Sequence, residues 1–125
     1  MIIVATDAPL TASDLRRLAM RPMMGLARTG SFASNGSGDY VIAFSTATSV
    51  RRSTSGGVHQ YDDLSNGNVS PLFEATVEAT EEAILNSLFM AQTVTSNGRT
   101  VEALPIDRTL DVLRRFGFVP MRGAS

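Results

Sequence analysis

Apolar and polar positions divide this chain into a few clear segments. Ile2-Ile3-Val4-Ala5-Thr6 is apolar without alternation, which predicts a strand buried on both faces. Asp7-Ala8-Pro9-Leu10 breaks it. Thr11 with Asp14 three residues on predicts a capped helix start. Leu15, Leu18, Pro22 and Leu26 then hold one helical face, with Arg16, Arg17 and Arg21 largely off it. Pro22 should kink or restart this helix, and Met20, Met23 and Met24 read as adaptable core filling. The stretch from Tyr40 to Ala47 predicts a second buried strand. Ser49 to Asn68 is a long irregular segment rich in Ser, Gly and Asn, of the kind that covers a pocket or meets a partner.

Ser70-Pro71 is a helix start, with a capping hydroxyl and a proline at the first helical position. The helix should run to about Gln92, with Phe73, Val77, Ile84 and Leu88 on one stripe and Ala75, Ala79 and Ala83 on another. That is apolar surface for more than one neighbour. Asn97-Gly98 signals a tight turn, followed by an extended piece from Arg99 to Leu104. Asp107 is expected to cap a last helix with Leu110, Leu113 and Phe116 inward. Gly117 should end it with Phe118 packing back, and the tail from Pro120 to Ser125 should fray.

These 125 residues are expected to form a single region, 1–125, of α/β class. So few strands leave apolar surface uncovered, so the chain reads as part of a larger layered structure. The first strand, with no polar lead-in, suggests that something precedes it. Net charge is −1, which gives no case for nucleic acid or an anionic membrane as partner. With no cysteine, thiol catalysis and cysteine-ligated metals are excluded. The single histidine, His59, is a poor metal ligand alone, and no cofactor or metal is expected. No apolar run approaches the ~18 residues of a membrane span.

The chemistry concentrates in Thr29 to Ala47, a Gly/Ser/Asn loop delivering Ser37, Gly38 and Asp39 onto the start of the second strand. A hydroxyl and a carboxylate two residues apart, with exposed backbone N–H groups, make a candidate site. On local pattern a polar turn before a strand is the simpler reading. Glu74, Glu78, Glu81 and Glu82 are most simply a solvated helix face. The glycines lack the Lys-Ser/Thr of a phosphate loop.

Three segments together resemble one family: Ile2 to Leu10, Leu26-Ala27-Arg28-Thr29-Gly30-Ser31, and Ser37-Gly38-Asp39-Tyr40-Val41-Ile42-Ala43-Phe44-Ser45-Thr46-Ala47. The resemblance is to the small β-chain of the L-aminopeptidase D-amidase/D-esterase family, which includes the β-peptidyl aminopeptidases. The helix from Ser70 and Val101-Glu102-Ala103-Leu104-Pro105 continue it.

The resemblance implies a precursor that cuts itself into an α-chain and this β-chain. The two would join in a four-layer αββα sandwich like that of N-terminal-nucleophile hydrolases, incomplete without the α-chain. It further implies a homo-oligomer of αβ units acting on small peptides, amides or esters in the cytoplasm, with the periplasm as the alternative. The family's Ser-Gly-Glu/Asp motif falls on Ser37, Gly38 and Asp39. There the Ser and the carboxylate orient the nucleophile's amino group, and the Gly N–H polarises the scissile carbonyl. The nucleophilic Ser is expected just upstream of Met1. The alternatives are an acyl transferase resembling ornithine acetyltransferase, with a Thr nucleophile, and a non-catalytic subunit that keeps the fold.

Overall fold

The computed structural model describes residues 1–118 and falls into two compact units, one spanning residues 1–84 and the other beginning at residue 85. The tail from Pro120 lies outside the described residues.

In the first unit, strand β1 (Ile2–Thr6) pairs in parallel with β2 (Val41–Ser45), in a register running from Ile2↔Val41 to Thr6↔Ser45. Parallel neighbours need a crossover connection. Two helices supply it, α1 (Ala12–Ala19) and α2 (Pro22–Arg28). Thr11 caps α1 as its spacing predicts: its Oγ1 accepts the Asp14 N–H at 3.3 Å and donates to the Asp14 carboxylate at 2.8 Å. Pro22 restarts the helix, standing at the beginning of α2, where its missing N–H costs nothing.

The sheet shows why continuous apolar patterning misleads. β1 is not buried on both faces here. Ile2, Val4 and Thr6, with Val41, Ala43 and Ser45, are partly covered, whereas Ile3, Ala5, Ile42 and Phe44 alternate with them on an exposed face. Ile3 is 58% exposed and Ile42 51%. Two paired strands have only one covered face in this chain.

Helix α3 (Ser70–Phe89) stops before Gln92. Its buried positions are Thr76, Val77 and Thr80, so the covered stripe is narrower and more polar than the one expected from Phe73, Ile84 and Leu88. The two threonines are buried without an unpaired hydroxyl: Thr76 Oγ1 donates to the Leu72 carbonyl and Thr80 Oγ1 to that of Thr76, both at 2.7 Å. The Thr80 side chain faces Gly25 of α2. A Cβ added there would stand 2.5 Å from the Val77 carbonyl oxygen and 2.8 Å from Thr80 Cβ. Glycine lets the two helices approach this closely.

The buried apolar side chains of this unit are Leu10, Leu18, Val69 and Val77. Arg17 and Arg21 lie over the Phe73 ring, their guanidinium carbons 5.2 and 4.1 Å from its centroid. Met20 and Met24 are not core filling, being 61% and 55% exposed, whereas Met23 is half-buried. The segment after β2 is irregular apart from two 3₁₀ turns, Thr48–Val50 and Asn66–Asn68. It is tied back by the Leu64 N–H to the Pro9 carbonyl, 2.9 Å, and by Arg17 to the Asn66 side chain, 2.8 Å.

In the second unit, β3 (Val94–Ser96) and β4 (Arg99–Val101) form an antiparallel hairpin. Asn97 and Gly98 turn it with φ of 50° and 72°, the pair of positive values a two-residue hairpin favours. Helix α4 (Ile106–Arg115) begins after Pro105. Asp107 lies within its first turn and does not cap it. Gly117, at φ 76°, ends α4 in a Schellman pattern: its N–H reaches the Arg114 carbonyl at 3.0 Å, and that of Phe118 reaches Leu113 at 2.9 Å. Phe118 does not pack back on the helix, and with Phe116 it stays exposed.

Candidate active site

The loop from Thr29 to Tyr40 carries the chain from the end of α2 to the start of β2. Gly30, at φ 98°, allows the turn out of α2, whose last carbonyls are met by the Thr29 hydroxyl and the Gly30 N–H. The Ser37 N–H closes a turn onto the Ser34 carbonyl at 2.8 Å. Its side chain Oγ donates to Asp39 Oδ2. The hydroxyl and carboxylate that sequence spacing singles out are therefore joined.

Gly38 stands between them with open space where a Cβ would be, and its φ is not in the left-handed region. Its N–H has no hydrogen-bond partner among the described residues. Among the described residues nothing demands a glycine there.

Register fixes where this motif sits. The Ile2 N–H donates to the Tyr40 carbonyl at 3.0 Å, one residue beyond Asp39. Because the strands are parallel, the start of β1 and the Ser37–Asp39 motif share one end of the sheet. The crossover returns α1 to that same end. There Asp39, Tyr40 and Val41 line a groove of about 430 Å³ with Arg16, Ala19, Met20 and Met23.

Sequence reasoning missed these residues of α1, α2 and the turn between them as site candidates. The signal was the exposed position of Arg16 on the helix and the cluster of methionines, which patterning assigned to the core.

The other candidates stay apart from this chemistry. His59 is exposed, and its Nε2 lies 3.1 Å from the Ser55 carbonyl in its own loop. Glu81 pairs with Arg28 at 3.2 Å, and Glu74, Glu78 and Glu82 are exposed. Among the described residues no cluster of three or more His, Cys, Asp or Glu is arranged to hold a metal ion, and no helix is long and apolar enough to cross a membrane.

Solved structures share this arrangement. A protein of Pyrococcus horikoshii superposes with a TM-score of 0.85 at 46% identity, over 93% of this chain and 33% of its own. The L-aminopeptidase D-Ala-esterase/amidase of Ochrobactrum anthropi, a prototype for the serine aminopeptidases and a variant of the N-terminal-nucleophile hydrolase fold, gives 0.85 at 33% identity over the same shares. A β-aminopeptidase of a Burkholderia species gives 0.81 at 38%, over 94% of this chain and 35% of its own. The fold is thus the α/β fold of N-terminal-nucleophile aminopeptidases.

Residues 1–101 match peptidase family S58, and the chain belongs to that family. The β-peptidyl aminopeptidase of Sphingosinicella microcystinivorans is 41% identical over 117 residues, 93% of this chain. That of Sphingosinicella xenopeptidilytica is 34% identical over 119. The chain spans 30% and 29% of the length of these two relatives.

Proposed function

We propose that this chain is the small, site-bearing chain of a self-processed serine aminopeptidase, which releases N-terminal residues from short peptides, amides or esters. In this reading it works with a large α-chain from the same precursor. The αβ units form a homo-oligomer, in the cytoplasm or alternatively the periplasm. Residues 1–125 act as one region of that assembly. The nucleophile is a Ser at the new N-terminus, just ahead of β1.

The observation that carries the reading is the register of β1 on β2. Counted back from Ile2↔Val41, the position preceding Met1 comes level with Asp39. An α-amino group there would lie beside the Ser37–Asp39 pair. With an ordinary pKa of about 7.7–8.0, such an amine can take the proton from its own hydroxyl, so no histidine is needed.

The steps follow. The hydroxyl oxygen attacks the scissile carbonyl as the amine takes its proton. The free Gly38 N–H donates to the oxyanion that forms. The C–N or C–O bond breaks, and the leaving group collects the proton from the ammonium. Water then attacks the acyl ester with the same amine as base, the C–Oγ bond breaks, the Ser oxygen takes the proton back from the ammonium, and the acid product leaves. Ser37 and Asp39 hold this amino group in position throughout. The relatives' descriptions as β-peptidyl aminopeptidase and L-aminopeptidase support the substrate class.

Expression of the complete precursor tests this reading. Self-cleavage and hydrolysis of alanine p-nitroanilide should arise together, and changing the Ser ahead of β1 to Ala should abolish both.

A further inference from the structure

The groove beside Asp39 has a chemistry that the cleavage steps leave unused. One wall is the start of β2, with Asp39, Tyr40 and Val41. The other is the last turn of α1 and the start of α2, with Arg16, Ala19, Met20 and Met23. Its volume of about 430 Å³ exceeds what one amino-acid side chain fills. Among the described residues that line it, Arg16 is the one cation. Arg17 is engaged by Asp14 and Asn66, Arg28 by Glu81, and Arg21 by the Phe73 ring. Arg16, by contrast, is exposed and has no ion-pair partner among the described residues.

Met20 is 61% exposed at the groove although it is large and apolar. Met23 is half-buried beside it. Thioether side chains adapt to ligands of different shape, and they recur on surfaces that accept several partners. An unpaired guanidinium beside a soft apolar wall complements an apolar residue that ends in a carboxylate.

We propose that this groove receives the residue on the leaving side of the scissile bond. Arg16 pairs with the free carboxylate of that residue, and Met20, Met23 and Tyr40 pack on its side chain. The preferred substrates are then dipeptides with a free C-terminus, and peptide amides of the same sequence are the poorer ones. The inference rests on the reading that cleavage takes place beside Ser37–Asp39. It adds a specificity residue to that reading.

The test compares a dipeptide with its C-terminal amide on the complete αβ protein, with Arg16→Gln as variant and Arg28→Gln as a control outside the groove. The dipeptide should be the better substrate. Arg16→Gln should raise its KM about 10-fold or more, as expected for loss of a charge-assisted pair. KM for the amide and kcat for both should stay where they are. Arg16→Glu should reverse the preference, and Arg28→Gln should leave it intact.

Calorimetric binding of the dipeptide to a variant lacking the nucleophile separates the two ideas. Arg16-dependent binding there, with no hydrolysis by the protein that keeps its Ser, would overturn the aminopeptidase reading and keep the groove. Hydrolysis with an acid-to-amide ratio that Arg16→Gln does not change would overturn the groove and keep the enzyme. Neither hydrolysis nor Arg16-dependent binding would overturn both.

Discussion

Ile2 donates its backbone N–H to the carbonyl of Tyr40 at 3.0 Å, and this bond brings the beginning of the chain beside the Ser37-Gly38-Asp39 loop. Residues 3–39, which make up the rest of β1, the helical crossover and the loop, separate the two partners. What joins them is parallel pairing, which sets both strand starts at one end of the sheet. The site is therefore a product of topology, and its residues should act on chemistry without supporting the core.

Asp39→Asn tests this separation. The carboxylate is exposed and bonded to the Ser37 hydroxyl, so the amide keeps the volume and removes the charge that in the proposed site would hold an ammonium group. In the complete enzyme kcat should fall about 10²-fold, in the range for a lost acid–base component. The melting temperature should stay unchanged. Unchanged kinetics would make Asp39 a turn residue.

Gly38→Ala follows the same logic from the opposite direction. An added Cβ meets nothing within 4 Å, so the chain itself tolerates it. If a scissile carbonyl approaches the Gly38 N–H, the methyl group should obstruct it. Activity should fall while thermal stability holds. Full activity would remove Gly38 from the site.

Gly25→Ala should do the reverse. Its Cβ would overlap the Val77 carbonyl oxygen at 2.5 Å, a backbone atom that no rotamer change can move. Overpacking of this kind costs about 1–3 kcal/mol. Denaturant unfolding of the complete protein should register that loss. Thr80→Ala in the same chain should not rescue it, because the Val77 carbonyl remains.

Asp14 gives a pH signature. The Thr11 hydroxyl first, then the Arg17 guanidinium, hold its carboxyl below its ordinary value of 3.8. A carboxyl lowered in the folded state stabilises fully above its unfolded pKa, and the stabilisation is lost as pH falls through the lowered folded value. Stability should therefore decline in acid below about pH 4. In Asp14→Asn this part of the decline should be absent, as a pH series of thermal melts can measure.

Local signals in the sequence were accurate where the physics is local. Thr11 and Asp14 cap α1, Pro22 restarts the helix, Asn97-Gly98 turns a hairpin and Gly117 closes α4. Each depends on groups within a few residues. Asp107 is the local exception, lying inside the first turn of α4 without capping it. The other errors concern what lies across the fold. Val4 and Ile3 read alike as buried, yet pairing with one neighbour leaves Ile3 on an open face. The methionines read as core because helical spacing does not reveal which side α3 covers. Ser37, Gly38 and Asp39 were legible as a motif and through family likeness. Arg16 and Met20 were not, because only the crossover returns α1 to the Asp39 end of the sheet.

The central claim is that the attacking oxygen belongs to a Ser at the head of β1, with Ser37, Gly38 and Asp39 serving it. A serine-directed covalent inhibitor, applied to the complete active protein and mapped by peptide mass spectrometry, tests this most directly. The account predicts a single label on an N-terminal Ser that leads into Ile2–Thr6, and none on the matching Ser→Ala variant. A label on Ser31, Ser34 or Ser37, in a protein whose activity it abolishes, would contradict it.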